Sequence, residues 1–98
     1  NKLMSNAKYF REKMSKAGFD IPNGIHPIVP VMLYDSTIAK KMADELLKKG
    51  VYVIGFYFPV VPKGKARIRV QLSSIHSIEQ IDKAVNAFTE IGKKLEII

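Results

Sequence analysis

Arg67 and Arg69 stand two apart in the run ARIRVQ, from Ala66 to Gln71, and that spacing decides what they could do. Successive side chains of an extended chain point to opposite faces. Arg67, Arg69, Gln71 and Ser73 therefore share one face, and Ala66, Ile68, Val70 and Leu72 share the other. At about 3.3 Å of rise per residue the two arginines lie roughly 6 to 7 Å apart. A guanidinium offers a planar fork of donors that grips a carboxylate through two hydrogen bonds, which a lysine cannot imitate. The pair on a stiff strand predicts a place for the anionic group of a small substrate. A single arginine pair on an open sheet face is also, and more often, plain solvated charge.

The other reactive residue types form no constellation. His26 and His76 are separated by 50 positions with no acidic partner at a metal-ligand spacing, so no metal site is expected. His76, between the arginine strand and the last helix, reads as an exposed or locally hydrogen-bonded loop residue. Ser73, Ser74 and Ser77 lack a G-x-S-x-G elbow, and neither a P-loop nor a G-x-G-x-x-G cradle is present. With no cysteine, disulfides, thiolate catalysis and cysteine-held metal or iron–sulfur sites are excluded.

The chain of 98 residues reads as one domain, large enough to bury roughly 65% of its unfolded surface. Its 47% hydrophobic and 26% charged residues place it among globular rather than disordered sequences. No apolar run approaches the roughly 20 residues that span a bilayer, and the first residues lack a signal-peptide layout. A soluble intracellular protein without membrane contact is expected. The net charge of +7 and the pairs Lys40/Lys41, Lys48/Lys49 and Lys93/Lys94 invite a nucleic-acid reading. Those pairs fall on polar faces or C-terminal ends of predicted helices, where cations suit the helix dipole. Solvated helix surface is the preferred reading, and a small basic nucleic-acid-binding α+β domain stays as an alternative. The charge would equally suit the phosphates of coenzyme A.

The elements that carry the arginines follow from periodicity and punctuation. Leu3, Ala7, Phe10, Met14 and Ala17 make a helical stripe over residues 1–17, ended by Gly18. The stripe begins at the first residue without a cap, as expected of a piece of a longer chain. Residues 18–27 form a loop with a turn at Pro22-Asn23-Gly24, and an α/β body over 28–98 follows. Ile28 to Tyr34 is a strand in which Pro30 removes a ladder donor, predicting a sheet edge or bulge. Asp35 and Ser36 offer caps to a helix striped by Ile38, Met42, Leu46 and the stem of Lys49, ending at Gly50. Val51 to Phe58 reads as a strand apolar on both faces, which wants a partner on each. Pro59 to Lys65 is too proline-rich for a two-residue hairpin. The last helix opens on the capping box Ser77 to Gln80 and carries the stripe Ile78, Ile81, Val85, Phe88 and Leu95. The order α-β-α-β-β-α predicts an α+β fold. Its three-stranded mixed or antiparallel sheet has the arginine strand in the middle and helices on one face.

Three segments, IVPVML at Ile28 to Leu33, MADELLKKGVYVIGF at Met42 to Phe56 and PVVPKGKARIRVQLSSIHS at Pro59 to Ser77, resemble the α-oxoamine synthases. These pyridoxal-phosphate enzymes condense an amino acid with an acyl-CoA. The resemblance covers most of the chain beyond Gly24 and implies the small C-terminal domain of a fold-type-I enzyme that works as a homodimer. It assigns the amino-acid carboxylate to the second arginine of the A-R-I-R pattern, Arg69, and gives Arg67 no such role. The lysine that binds pyridoxal phosphate, and the groups for its ring nitrogen and phosphate, belong in the family to the large domain upstream. No residue of this chain is therefore assigned a catalytic or cofactor-binding role, and the piece alone is expected to be inactive. The implied reaction interconverts glycine plus acetyl-CoA with 2-amino-3-oxobutanoate plus CoA, in threonine and glycine metabolism. The implied place is the cytoplasm, or the mitochondrion in a eukaryote. A family sibling that makes 8-amino-7-oxononanoate, and a regulatory module holding an amino acid through Arg67 and Arg69, remain as alternatives.

Overall fold

The computed structural model describes residues 2–72 and 77–98. Three helices and three strands follow in the order α1 (Lys2–Ala17), β1 (Ile28–Tyr34), α2 (Ser36–Lys48), β2 (Ile54–Phe56), β3 (Ala66–Gln71) and α3 (Ile78–Lys94). The sheet order is β1-β3-β2, with β3 antiparallel to both neighbours. The arginine strand is thus central, and β1 and β2 run parallel to each other on either side of it. Pro30 lies on the edge strand β1, and the register shifts between Met32 and Tyr34, so the strand is both edge and bulged. The edge position is what tolerates the missing donor of Pro30, while the bulge lies two residues further on.

The two-residue period is realised in the burial of the strands. Val29, Val31 and Leu33 of β1 and Ala66, Ile68 and Val70 of β3 are buried, while Ile28, Pro30, Met32, Arg67 and Arg69 are half-buried on the other face. The helices pack on the first face through Ala7, Phe10 and Met14 of α1, Ala39, Met42 and Leu46 of α2, and Ile81, Val85, Phe88 and Ile91 of α3. At about 25 cal/mol per Å² this single apolar layer is the main driving force that seats β3 on the helices and fixes which way its arginines point.

Three expectations need correction. The strand expected over 51–58 is only three residues long, because its start closes α2 and its end meets Pro59. Gly50 adopts φ 80 and lets Val51 N–H return to the Leu46 carbonyl at 2.9 Å, a helix-ending bond that removes Val51 from the ladder. Ile78 is not part of the buried stripe of α3, since it is 47% exposed in the first turn, ahead of the point where the helix meets the core. Lys49 contributes no stem to the core of α2: it is exposed, and its Nζ pairs with Glu90 at 3.0 Å.

The caps are as the sequence indicates. Asp35 accepts from the backbone N–H of Thr37 and Ile38, at 2.8 and 3.0 Å, while Ser36 accepts instead from Phe58 N–H at 3.4 Å. Replacing Asp35 with alanine is expected to cost about 1 kcal/mol, read as a lower urea midpoint. Serine at the same position should restore most of it. Ser77 and Gln80 form the reciprocal capping box of α3.

Candidate substrate-carboxylate site

Side chains from all three strands meet on the uncovered face of the sheet. Pro30 of β1 and Ile54 of β2 lie opposite Arg69 in the two ladders, and Met32 and Phe56 lie opposite Arg67. Ile28, Pro30, Phe56, Val61, Arg67 and Arg69 line an open cavity of about 290 Å³. Val61 comes from the long connection between β2 and β3, where Gly64 at φ 81 permits the reversal.

Arg69 is held by an aromatic ring and by no acid. Its guanidinium carbon lies 4.8 Å from the centroid of the Phe56 ring, a cation–π contact, and its Nε is buried without a hydrogen-bond partner. Among the described residues nothing accepts a bond from its terminal Nη groups or pairs with its charge. A half-buried guanidinium with unspent donors beside a cavity is costly to keep unless something anionic comes to it. Arg67 lines the same cavity, with its Nε donating to the Lys65 carbonyl at 3.2 Å. That bond aims its remaining donors but gives it no carboxylate either.

Other charged groups are spent locally. Arg11 belongs to a larger opening of about 620 Å³ between α1 and residues 21–25. Its guanidinium donates to the carbonyls of Pro22, His26 and Ile28 at 2.8, 3.0 and 3.4 Å, and burial pulls its pKa below the usual arginine range. Arg11 is therefore a clamp on the loop that feeds β1, and through Ile28 on one wall of the cavity at Arg69. His26 accepts from Ile28 N–H at 3.1 Å, a bond within its own loop. His76, Ser73 and Ser74 lie outside the described residues. Among the described residues no group of three or more potential metal-binding side chains occurs. Lys48 and Lys94 both approach Glu45, at 3.8 and 3.7 Å, so part of the basic charge is balanced on the helix surface. Among the described residues no helix is long and apolar enough to cross a membrane.

Sequence reasoning brought out Arg69 and its neighbour Arg67, and missed Phe56, Pro30, Ile28 and Val61 as their surroundings. The ladder register places those residues, and only the alternation within VYVIGFYF hinted at it by putting Phe56 and Ile54 on one face. Ile54, opposite Arg69 in the ladder, is 48% exposed, and Tyr52 and Phe58, which flank β2 in the chain, are 82% and 50% exposed.

Three helices with a three-stranded antiparallel sheet make the small α+β domain found in fold-type-I pyridoxal-phosphate enzymes, and the chain belongs to the class I and II aminotransferase family, whose model matches residues 1–88. Within it, the chain is similar to 2-amino-3-ketobutyrate coenzyme A ligases. It is 56% identical to that of Salmonella typhimurium over 98 residues, the whole of this chain and 25% of the relative. It is also 56% identical to the human mitochondrial protein of that name over 91 residues, 93% of this chain and 22% of the relative. An 8-amino-7-oxononanoate synthase of Thermosipho melanesiensis is 46% identical over 97 residues, 99% of the chain and 25% of that protein. Among solved structures, a serine palmitoyltransferase of S. paucimobilis with a bound PLP–myriocin aldimine superposes with a TM-score of 0.88 at 29% identity. That match covers 99% of this chain and 25% of the other. The chain thus spans about a quarter of the length of the relatives it matches.

Proposed function

We propose that this chain is the substrate-binding part of a pyridoxal-phosphate-dependent glycine C-acetyltransferase, or 2-amino-3-ketobutyrate CoA ligase. The reaction interconverts glycine plus acetyl-CoA with 2-amino-3-oxobutanoate plus CoA, in threonine and glycine metabolism. The observation that carries this reading is Arg69, a guanidinium on the central strand with no acidic partner among the described residues and an open cavity beside it. Its terminal donors suit the carboxylate of the amino acid. That grip fixes one end of a small substrate, so that the α-carbon is presented in one orientation rather than many.

Pyridoxal phosphate supplies the electron sink for carbanion chemistry when bound. The described residues that line the cavity offer guanidinium and apolar groups, with no amine for a Schiff base and no carboxylate for a pyridine nitrogen, so they suit an anionic group and not the cofactor's reactive ring. The cofactor is assigned to polypeptide beyond this chain, and its lysine likewise. The exposed apolar side chains Ile54, Phe58 and Tyr52, in and flanking β2, suit burial against that polypeptide or the second subunit of a homodimer. The enzyme would reside in the bacterial cytoplasm or, in a eukaryote, the mitochondrion.

The test is the full-length enzyme with pyridoxal phosphate, assayed for glycine-dependent release of CoA. Acetyl-CoA is expected to be preferred over a pimeloyl thioester. Preference for the pimeloyl donor with alanine as the amino acid would establish the second reading, which the relative at 46% identity supports. Absence of CoA release with either donor would overturn the class.

A further inference from the structure

Arg69 needs something to aim it. An arginine side chain has four rotatable bonds, and ordering one costs about 2 kcal/mol of rotamer freedom unless neighbours hold it. Its two partners across the ladders, Pro30 and Ile54, offer no hydrogen-bonding side chain, and no described acid pairs with it. What does lie against it is the Phe56 ring, at 4.8 Å from the guanidinium carbon. Phe56 reaches it diagonally, since its own ladder partner is Arg67. The Arg69 Nε is buried and unbonded. The fork that uses Nε is thereby shut off, and the end-on pair of Nη groups is the one left to take a carboxylate.

We propose that Phe56 is a positioning residue for the reaction: its ring clamps the Arg69 guanidinium so that the Nη pair faces the cavity. This rests on the reading of Arg69 as the carboxylate ligand and adds the residue that acts through it. The ring face carries the negative side of the aromatic quadrupole and attracts a planar cation without competing for its donors. An acid in the same place would neutralise the guanidinium and occupy those donors. An aromatic support leaves both charge and hydrogen bonds free for substrate.

The experiment uses the full-length holoenzyme with Phe56→Leu, Phe56→Tyr and Arg69→Lys, and glycine and acetyl-CoA as probes. Phe56→Leu keeps apolar volume but loses the ring. It is expected to weaken glycine binding, by calorimetric titration and by KM, roughly 3- to 10-fold. The KM for acetyl-CoA and the melting temperature should stay near those of the parent. Phe56→Tyr keeps the ring face and should restore glycine affinity, which a purely structural role at this position would not require. Unchanged glycine affinity in Phe56→Leu, with Arg69→Lys impaired, overturns the positioning role and leaves the Arg69 reading standing. Unchanged affinity in Arg69→Lys as well overturns the parent reading. Equal loss for glycine and acetyl-CoA with a lowered melting temperature in both Phe56 variants also overturns the proposal.

Discussion

Arg69→Ala in the full-length enzyme is expected to lower kcat/KM for glycine by about 2 to 4 kcal/mol, on the order of 30- to 800-fold. Loss of a charge-assisted, two-point contact accounts for the lower figure. The higher one adds the penalty of leaving a substrate carboxylate in the cavity without its two-point partner. Arg69→Lys should fall between alanine and the parent, because an ammonium keeps the charge and not the planar fork. The loss should appear mainly with the amino acid, since the cavity at Arg69 is lined by groups that suit a carboxylate, and much less in the KM for acetyl-CoA. Arg67→Ala separates the two arginines. With its Nε tied to the Lys65 carbonyl, Arg67 is anchored to the backbone just before its strand, and its removal should cost glycine far less than removal of Arg69. Steady-state kinetics with glycine varied at saturating acetyl-CoA, and then the reverse, measure both. Unaltered glycine kinetics in Arg69→Ala would remove this residue from the site.

The elements around that arginine were legible to very different degrees. Alternation in ARIRVQ gave the faces of β3 correctly because one face lies wholly against an apolar layer, where a slip of one residue would bury two guanidinia. Asp35 and the box Ser77 to Gln80 marked two helix starts, since capping is a local matter of one side chain and a nearby N–H. The boundaries of β2 were not legible. VYVIGFYF has strand composition throughout, yet Val51 is taken by the end of α2 through its bond to Leu46, a competition that composition does not record. Arg11 reads in the sequence as one more charge on a helix. Its three backbone acceptors lie 11, 15 and 17 positions away in a loop whose path no local pattern specifies. Phe56 as the support of Arg69 depends on the stagger between β2 and β3, which the long proline-containing connection leaves undetermined.

Phe88→Ala is expected to be the most damaging single truncation in the core, costing about 3 to 5 kcal/mol. Phe88 has no solvent exposure and sits between two other rings, edge-on to Phe10 at 6.2 Å and 70° and to Phe19 at 5.8 Å and 80°. It therefore ties together α1, the segment after it and α3. A domain of this size has only about 5 to 15 kcal/mol of stability in total, so the alanine variant should unfold well below the parent's urea midpoint. Phe88→Leu retains most of the volume and should cost less, with the deficit tracing to two lost edge-to-face contacts at about 0.5 to 1.5 kcal/mol each. The packing around Phe88 is tight. A Cβ on Gly92, one turn along α3, would come within 2.8 Å of Phe19 Cζ, so the helix backbone already touches the ring that would have to move into the gap. A double-mutant cycle between positions 10 and 88 should give a coupling of the same sign and size as one ring contact. Equal midpoints for Phe88→Ala and the parent would mean that α1 does not depend on α3 for its seat. The loop clamped by Arg11 would then have to be anchored by β1 alone, and Ile28 at the wall of the Arg69 cavity with it.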